Sequence, residues 1–151
     1  MPKVQAALLC DFAQVREGLL FVCGGGIRRI VLPEVPAPLG VMLTLHVEVP
    51  PEERANVHEL TIVLVAPNLD IVHRAVAGFQ ALPGRIAAGK PELDDVLAVH
   101  DGESISAPFV LDLRAATVPE FGQYGLTITI DSQEAAHLAF SVVTVDPSML
   151  R

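Results

Sequence analysis

Apolar and polar positions alternate with a period of two through several short stretches of the chain. In residues 41–49, "VMLTLHVEV", the odd-numbered positions hold only Val and Leu, whereas Met, Thr, His and Glu hold the even ones. This pattern predicts a β-strand with one buried face. The runs at 59–66, 109–115, 126–131 and 138–145 are also short and rich in β-branched residues, and turn-forming residues bound them. The chain is therefore predicted to be built from strands.

Turn signals between these runs indicate how the strands are connected. The clusters "APNLD" (66–70) and "DSQEA" (131–135) each separate two apolar runs, which favours antiparallel hairpins. Together the pattern predicts an all-β fold in one domain, residues 1–151: an antiparallel β-sandwich, immunoglobulin-like or C2-like, with about seven to nine strands. At most one short helix is expected, and residues 89–103 are compatible with either that helix or a long loop.

Two further segments refine this prediction. Residues 32–40, "LPEVPAPLG", carry three prolines, which cannot donate to a sheet ladder, so we expect an extended crossover between the two sheets. Tyr124 follows a glycine-containing turn and precedes alternating apolar residues, as in the tyrosine corner of immunoglobulin-like sandwiches. The alternative is that Tyr124 packs at the start of a strand with its hydroxyl in water.

The triplet Gly24, Gly25 and Gly26 raises the question of a phosphate-binding loop. A P-loop needs a following Lys and hydroxyl residue, and a dinucleotide fingerprint needs a third glycine where Arg29 stands, so both motifs fail. The glycines are interpreted as positions of positive φ, or a bulge, where an edge strand turns a corner. The alternative is an anion-binding nest backed by Arg28 and Arg29, or a partner-binding edge. These five residues are the candidate interaction residues.

The stretch "VREGLLF" predicts a hairpin just before the glycines. With Arg16 and Glu17 as its tip, paired positions sum to 33, so Cys10 is expected to face Cys23. Cross-strand cysteines can form a disulfide, but in a cytoplasmic chain we expect both to be reduced and buried as small apolar residues.

Composition excludes several classes of partner. Apolar residues make up 51% of the chain, yet no uninterrupted apolar run approaches the length of a membrane helix. The net charge of -8 opposes binding to nucleic acid. The N-terminal apolar stretch is too short for a secretory signal, so we expect a cytoplasmic protein. The low count of Lys beside Arg and the abundance of Ala, Val and Gly are typical of a GC-rich bacterial source.

Candidate chemistry is sparse. The five histidines show no recognised metal spacing, and the nearest pair is His46 with Glu48, two apart on one predicted strand face. No nucleophile elbow is present, and the neighbouring carboxylates in predicted loops point apart. We therefore predict no catalytic, cofactor-binding or metal site, and a protein that is not an enzyme.

Motifs at both ends of the chain carry a resemblance. They are "D-x-A-x-V" from Asp11, an apolar strand ending in Gly, "P-x-x-P" from Pro33, and "G-x-Y-x-x-x-I-x-x-D" from Gly122 to Asp131. In this order they resemble an uncharacterised bacterial family of small β-sandwich proteins, over the full length of the chain. The resemblance implies the fold but no activity. The chain departs from the family at the extended segment 84–103 and at "DSQE", where a tighter Asp-Gly turn is usual.

Three functional hypotheses follow. The leading one is a non-enzymatic protein-interaction or structural module that binds a partner, or itself as a homodimer, through a sheet face or edge, because runs such as "ELTIVLVA" and "IRRIVL" leave few polar positions for an outer face. The alternative is a small-molecule or carbohydrate binder that uses loops 24–29 and 84–103. The third is an enzyme with a metal at His46 and Glu48.

Overall fold

The chain folds into β-strands, as the alternating pattern predicts. The computed structural model describes residues 1–81, 102–146 and 148, and within them it shows strands but no α-helix, only a 3₁₀ turn at Pro51–Glu53. The twelve strands of this described part are β1 (Lys3–Cys10), β2 (Phe12–Arg16), β3 (Leu19–Cys23), β4 (Arg29–Val31), β5 (Ala37–Pro38), β6 (Met42–Val49), β7 (His58–Val65), β8 (Ile71–Phe79), β9 (Ile105–Asp112), β10 (Thr117–Val118), β11 (Gly122–Ile130) and β12 (Gln133–Val143). The count exceeds the expected seven to nine because three of them have only two or three residues.

Two main sheets carry the fold. One has five strands in the order β4-β12-β11-β7-β8, and the other has three in the order β1-β6-β9. All neighbours are antiparallel except β4, which pairs parallel to β12. The proline-rich segment 32–40 leads from β4 in the larger sheet to β6 in the smaller one, so the predicted crossover is confirmed, with Ala37–Pro38 forming a short ladder to β10 on the way.

One hydrophobic core is shared by the two sheets. It contains Leu43, Leu45 and Val47 from β6 together with Leu64 and Leu126 from the larger sheet, each no more than 1% exposed. Full burial of a side chain of this size contributes about 1.5–3 kcal/mol. The two layers are therefore held together mainly by apolar contacts between their facing sides.

The alternating pattern of β6 predicts the buried face correctly but not the exposure of the opposite face. Its odd positions are buried in the core as predicted, but Met42 and Thr44 on the opposite face are also buried, and His46 and Glu48 are half-buried. The cause is the β2–β3 hairpin, which lies against this outer face and encloses a small cluster of Cys10, Ala13 and Met42. The hairpin is thus a third layer that covers one end of the smaller sheet.

The predicted hairpin exists, but its predicted register is wrong. Phe12 pairs with Cys23 and Arg16 with Leu19, so the turn is formed by Glu17 and Gly18, whose φ values are 51° and 75°. A two-residue turn with positive φ at both positions matches the right-handed twist of antiparallel strands. Gly18 adopts positive φ without the steric penalty that a Cβ atom would cause. This turn shifts the ladder by one residue on each strand. Cys10 consequently pairs with Met42 on β6 and not with Cys23.

The two cysteines therefore have different environments. Both are free thiols; Cys10 is buried, as expected, whereas Cys23 is exposed, so the expectation of burial is wrong for Cys23. Burial is the main factor that raises the pKa of the Cys10 thiol. Cys10 is the less reactive of the two because thiol reactivity requires an accessible thiolate.

Tyr124 closes the start of β11 against its preceding turn. The side chain is 1% exposed and its ring stacks on Phe140 with centroids 5.6 Å apart. The hydroxyl donates to the Glu120 carbonyl oxygen at 2.6 Å and accepts from the Glu120 amide at 3.3 Å. Of the two interpretations, the hydroxyl bonded to its own turn is the one observed, and the hydroxyl in water is not.

The last hairpin is tight although it lacks glycine. Asp131 and Ser132 form its turn, with φ values of 50° and 65°, between the paired residues Ile130 and Gln133. The substitution of Ser for a usual Gly has therefore not lengthened the turn.

The prediction that residues 89–103 form either a helix or a long loop concerns residues outside the described part of the chain, except for Gly102 and Glu103. No helix among the described residues is long and apolar enough to span a membrane.

Candidate functional site

Large apolar side chains are exposed along one short piece of chain, the β2–β3 hairpin. They are Phe12 (44% exposed), Val15 (42%), Leu19 (62%), Phe21 (50%) and Val22 (38%), which together we call the hairpin patch. The patch includes two phenylalanines, which bury large areas when they are covered. By the pairing of β2 with β3, Phe12, Leu19 and Phe21 lie on one face of the hairpin, and Val15 and Val22 lie on the face that carries Ala13. Exposed apolar surface of this kind is typical of binding sites.

The exposure follows from the sequence of the hairpin. Successive side chains of a strand point to opposite faces, so one face of the hairpin lies against the smaller sheet, where Ala13 is buried and Leu20 half-buried. In "LLFVC" both alternating sets are apolar, and a two-stranded ribbon covering only one sheet cannot bury both. Leu19 and Phe21 are therefore left facing water.

The glycine triplet follows the hairpin directly and is exposed. Gly24 and Gly26 have φ values of 64° and 87°, which confirms the prediction of positive φ before an edge strand, here β4. A Cβ on Gly24 would lie 2.2 Å from the Asp11 Oδ2 atom. The triplet therefore allows a close approach between the loop and the end of β1.

Hydrogen bonds of the same loop weigh against the anion nest. The amides of Gly26 and Ile27 donate to the Leu9 carbonyl oxygen at 2.9 and 3.1 Å, and the Ser141 amide donates to the Arg28 carbonyl oxygen at 2.9 Å. The loop thereby links β1 of one sheet to β12 of the other. Two amides that a nest would aim at an anion are already used inside the protein.

Arg28 and Arg29 are exposed, and neither forms an ion pair within the described part of the chain. Beside Arg28 lies a hollow of about 80 Å³ lined mainly by apolar residues of β1 and β12. Ligand pockets commonly enclose about 300–1,000 Å³, so this hollow is too small for a drug-sized ligand. The five candidate interaction residues therefore lie in one exposed segment that follows β3, and the last of them, Arg29, is the first residue of β4.

A buried histidine forms a cluster that sequence reasoning missed. His58 is 3% exposed; its Nδ1 lies 2.7 Å from Asp131 Oδ2, and its Nε2 lies 3.3 Å from the Glu53 carbonyl oxygen. The Glu59 amide donates to Asp131 Oδ1 at 2.9 Å. The hydrogen bond from His58, followed by that from Glu59, lowers the pKa of Asp131. No short-range signal reveals this contact, because His58 and Asp131 lie far apart in sequence on different hairpins.

The pair His46 and Glu48 lies on the outer face of β6, as the alternation predicts. Both side chains are half-buried, and Glu48 accepts a hydrogen bond from the Gln5 side-chain amide. No group of three or more His, Cys, Asp or Glu residues suited to a metal ion occurs among residues 1–81, 102–146 and 148. Within the described residues the pair therefore supplies two ligands, fewer than the three or four of a usual zinc site.

Comparisons with known proteins identify a family but no function. The model of one family, described as a family of unknown function (DUF6941), matches residues 5–143 of the chain. No curated protein matches the chain. The match covers every strand but the first residues of β1.

Proposed function

This chain belongs to the DUF6941 family of unknown function, and we propose that it is a non-enzymatic interaction module that pairs with a second copy of itself through the hairpin patch. We also propose that its two layers form an immunoglobulin-like sandwich, a relationship supported by the Tyr124 hydroxyl bonded back to Glu120. The proposed setting is the cytoplasm, where Cys10 and Cys23 stay reduced.

The observation that carries the proposal is the exposure of Leu19 and Phe21 on a strand with no polar residue. Each is at least half exposed, and covering the exposed part of such a side chain contributes about 1 kcal/mol. In the proposed interface the segment that follows β3, with Arg28 and Arg29, supplies a polar rim. An apolar centre surrounded by polar groups is the usual organisation of a protein interface.

Strand pairing supports a second copy as the occupant. Among the described strands, β2 and β3 pair only with each other, so the outer edge of β3 retains unpaired backbone donors and acceptors. Two copies related by a two-fold axis near Phe21 bring their β3 edges together in antiparallel orientation. The two ribbons then form one four-stranded sheet.

Charge at the hairpin is compatible with such pairing. The chain has a net charge of -8, but the opposite charges of Arg16 and Glu17 at the hairpin tip cancel each other. The stretch from Gly18 to Pro33 contains two arginines and no acidic residue. Two acidic molecules can therefore approach each other at this surface with less repulsion than elsewhere.

Sedimentation velocity of the purified protein over a wide concentration range tests the proposal. We expect a reversible dimer, and Leu19→Lys should weaken it at least about tenfold because it places a charge within the apolar interface. The matched control is Ile71→Lys on β8, since Ile71 is 63% exposed and Leu19 is 62% exposed. A wild-type chain that stays monomeric, or a dimer that only the Ile71 substitution dissociates, would overturn the proposal.

A further inference from the structure

The outer face of the five-stranded sheet contains a hollow of about 350 Å³, distant from the hairpin patch. Its floor is formed by Gly125 of β11 and Ala139 of β12, which pair with each other, while Gly125 also pairs with Val65 of β7. The turn between β7 and β8 forms one wall through Pro67 and Leu69. This volume lies at the lower end of the range for small-molecule sites.

Gly125 allows the His137 side chain to lie close to the floor of this hollow. Its φ does not lie in the left-handed region, so the backbone does not require glycine there, and glycine inside a strand is destabilising. A Cβ at this position would lie 3.0 Å from His137 Cε1 and 3.4 Å from His137 Nε2. The imidazole therefore rests directly over the glycine backbone. Interior strand glycines often mark such a close approach of a ligand or another group.

Polar groups stand at both ends of the hollow. At one end, Ser141 Oγ donates to Gln123 Oε1 at 2.7 Å, which orients the amide and leaves its Nε2 as a donor. At the other, Thr127 Oγ1 lies 3.3 Å from His137 Nδ1, and His137 Nε2 has no protein partner among the described residues. Gln123 and Thr127 point to the same face, about 13 Å apart along the strand. The side chains of Gln123 and Thr127 occupy part of this distance, and the space left between them accommodates one small ring.

Charge defines the class of ligand. The ten residues that line the hollow include no Asp, Glu, Lys or Arg, although the chain as a whole has a net charge of -8. Among the lining residues a phosphate or carboxylate would find no Lys or Arg and a cation no carboxylate, although Arg74 lies on the same face two strands from Thr127, and Asp70 and Glu120 bond to Asn68 in the wall turn. The amide, hydroxyl and imidazole offer both donors and acceptors, and Val65, Pro67 and Leu69 offer apolar surface.

We propose that this hollow is a binding site for a neutral polyhydroxylated ring of monosaccharide size. Its hydroxyl groups bond to Gln123, Thr127 and His137, and its C–H face lies on Ala139 and the apolar wall. The ligand site is separate from the hairpin patch, so it stands whether or not the chain dimerises.

Titration of the isotope-labelled protein by ¹H–¹⁵N NMR tests this site, with D-glucose, D-galactose and D-mannose as neutral probes. We expect saturable shifts of the Gly125 and Thr127 amides with at least one sugar, at a dissociation constant on the order of 1 mM. D-Glucose 6-phosphate serves as the charged probe and is expected to bind more weakly than glucose. The absence of shifts at these amides with all three sugars, or tighter binding of the phosphate, would overturn the proposal.

Two matched substitutions on β11 locate the binding. Thr127 and Thr129 are both half-buried and point to the same face, but only Thr127 lines the hollow. Thr127→Val should weaken sugar binding about fivefold or more through the lost hydrogen bond, whereas Thr129→Val should leave it unchanged. Thermal unfolding of both variants shows that they are folded. Equal losses in the two variants would contradict the proposed position of the ligand.

Discussion

Tyr124→Phe removes one hydroxyl and leaves the packing of the ring intact. The lost atom makes two hydrogen bonds to the backbone of Glu120, at 2.6 and 3.3 Å, and the ring itself is 1% exposed. Glu120 is half-buried, so water replaces part of the lost contact. We expect the free energy of unfolding to fall by about 1–2 kcal/mol. For a chain of this size, that loss lowers Tm by about 3–6 °C.

The pH dependence provides a second signature of the same contact. Burial is the main factor that raises the pKa of Tyr124 above its usual value of 10.0. A group whose pKa is raised by folding stabilises the protein below its unfolded pKa, and this stabilisation is lost as the pH rises through the folded pKa. The stability difference between wild type and Tyr124→Phe should therefore be constant at neutral pH and shrink above about pH 10.

The assay is unusually selective because the chain contains one tyrosine and no tryptophan. Phenolate absorbance of the folded protein reports Tyr124 alone, and urea unfolding at several pH values gives the free energies. Tyr124→Leu serves as the comparison, since it also removes the ring that stacks on Phe140 and should cost more. Equal stability of wild type and Tyr124→Phe, or an ordinary titration in the folded state, would refute the conclusion that the hydroxyl closes this turn.

Three further outcomes are expected. Asp131→Asn should lower the unfolding free energy by about 1 kcal/mol at neutral pH, a value discounted for the exposure of the side chain. Because the native pKa of Asp131 is lowered from 3.8, this deficit should vanish as the pH falls through that native pKa, which acid titration of stability would show. Gly24→Ala should cost about 1–2 kcal/mol for its left-handed backbone, measured by urea unfolding. A thiol reagent should modify Cys23 rapidly in the native protein and Cys10 only after unfolding; equal rates would contradict their different burial.

Sequence periodicity predicted the central strands well. The runs at 41–49 and 59–66 correspond to β6 and β7 within one residue, because each has one face in the core and a turn at its end, whereas β12 begins at Gln133, inside the predicted turn 131–135 and five residues before the predicted run. The pattern does not say which strands become neighbours. The parallel pairing of β4 with β12 joins segments at opposite ends of the chain, and no local signal encodes it.

The hairpin shows where periodicity is insufficient. Its location was readable from "VREGLLF", but a register shifted by one residue on each strand is equally compatible with a run that is apolar on both faces. Positive φ at Glu17 decided the register, and Glu is an uncommon residue for that conformation. For the same reason the sequence did not reveal which of the apolar side chains, Leu19 and Phe21 among them, would remain in water.

The expected source of apolar surface was also wrong in part. "ELTIVLVA" corresponds to the central strand β7, whose outward Thr61 is buried and whose Val63 is half-buried between neighbouring strands. "IRRIVL" does supply an exposed residue, Val31, on the edge strand β4. A polar outer face is unnecessary for a strand that neighbours shield on both sides.

The parallel strand at the sheet edge also has a consequence for biosynthesis. Arg29–Val31 is synthesised more than 100 residues before its ladder partner, Ser141–Val143 in β12. Until β12 has been made, this segment has no ladder partner among the described strands, so the larger sheet is completed only after residues 141–143 have been synthesised. Such non-local pairing gives slow folding, in milliseconds to seconds, and leaves a nascent chain that benefits from chaperone protection.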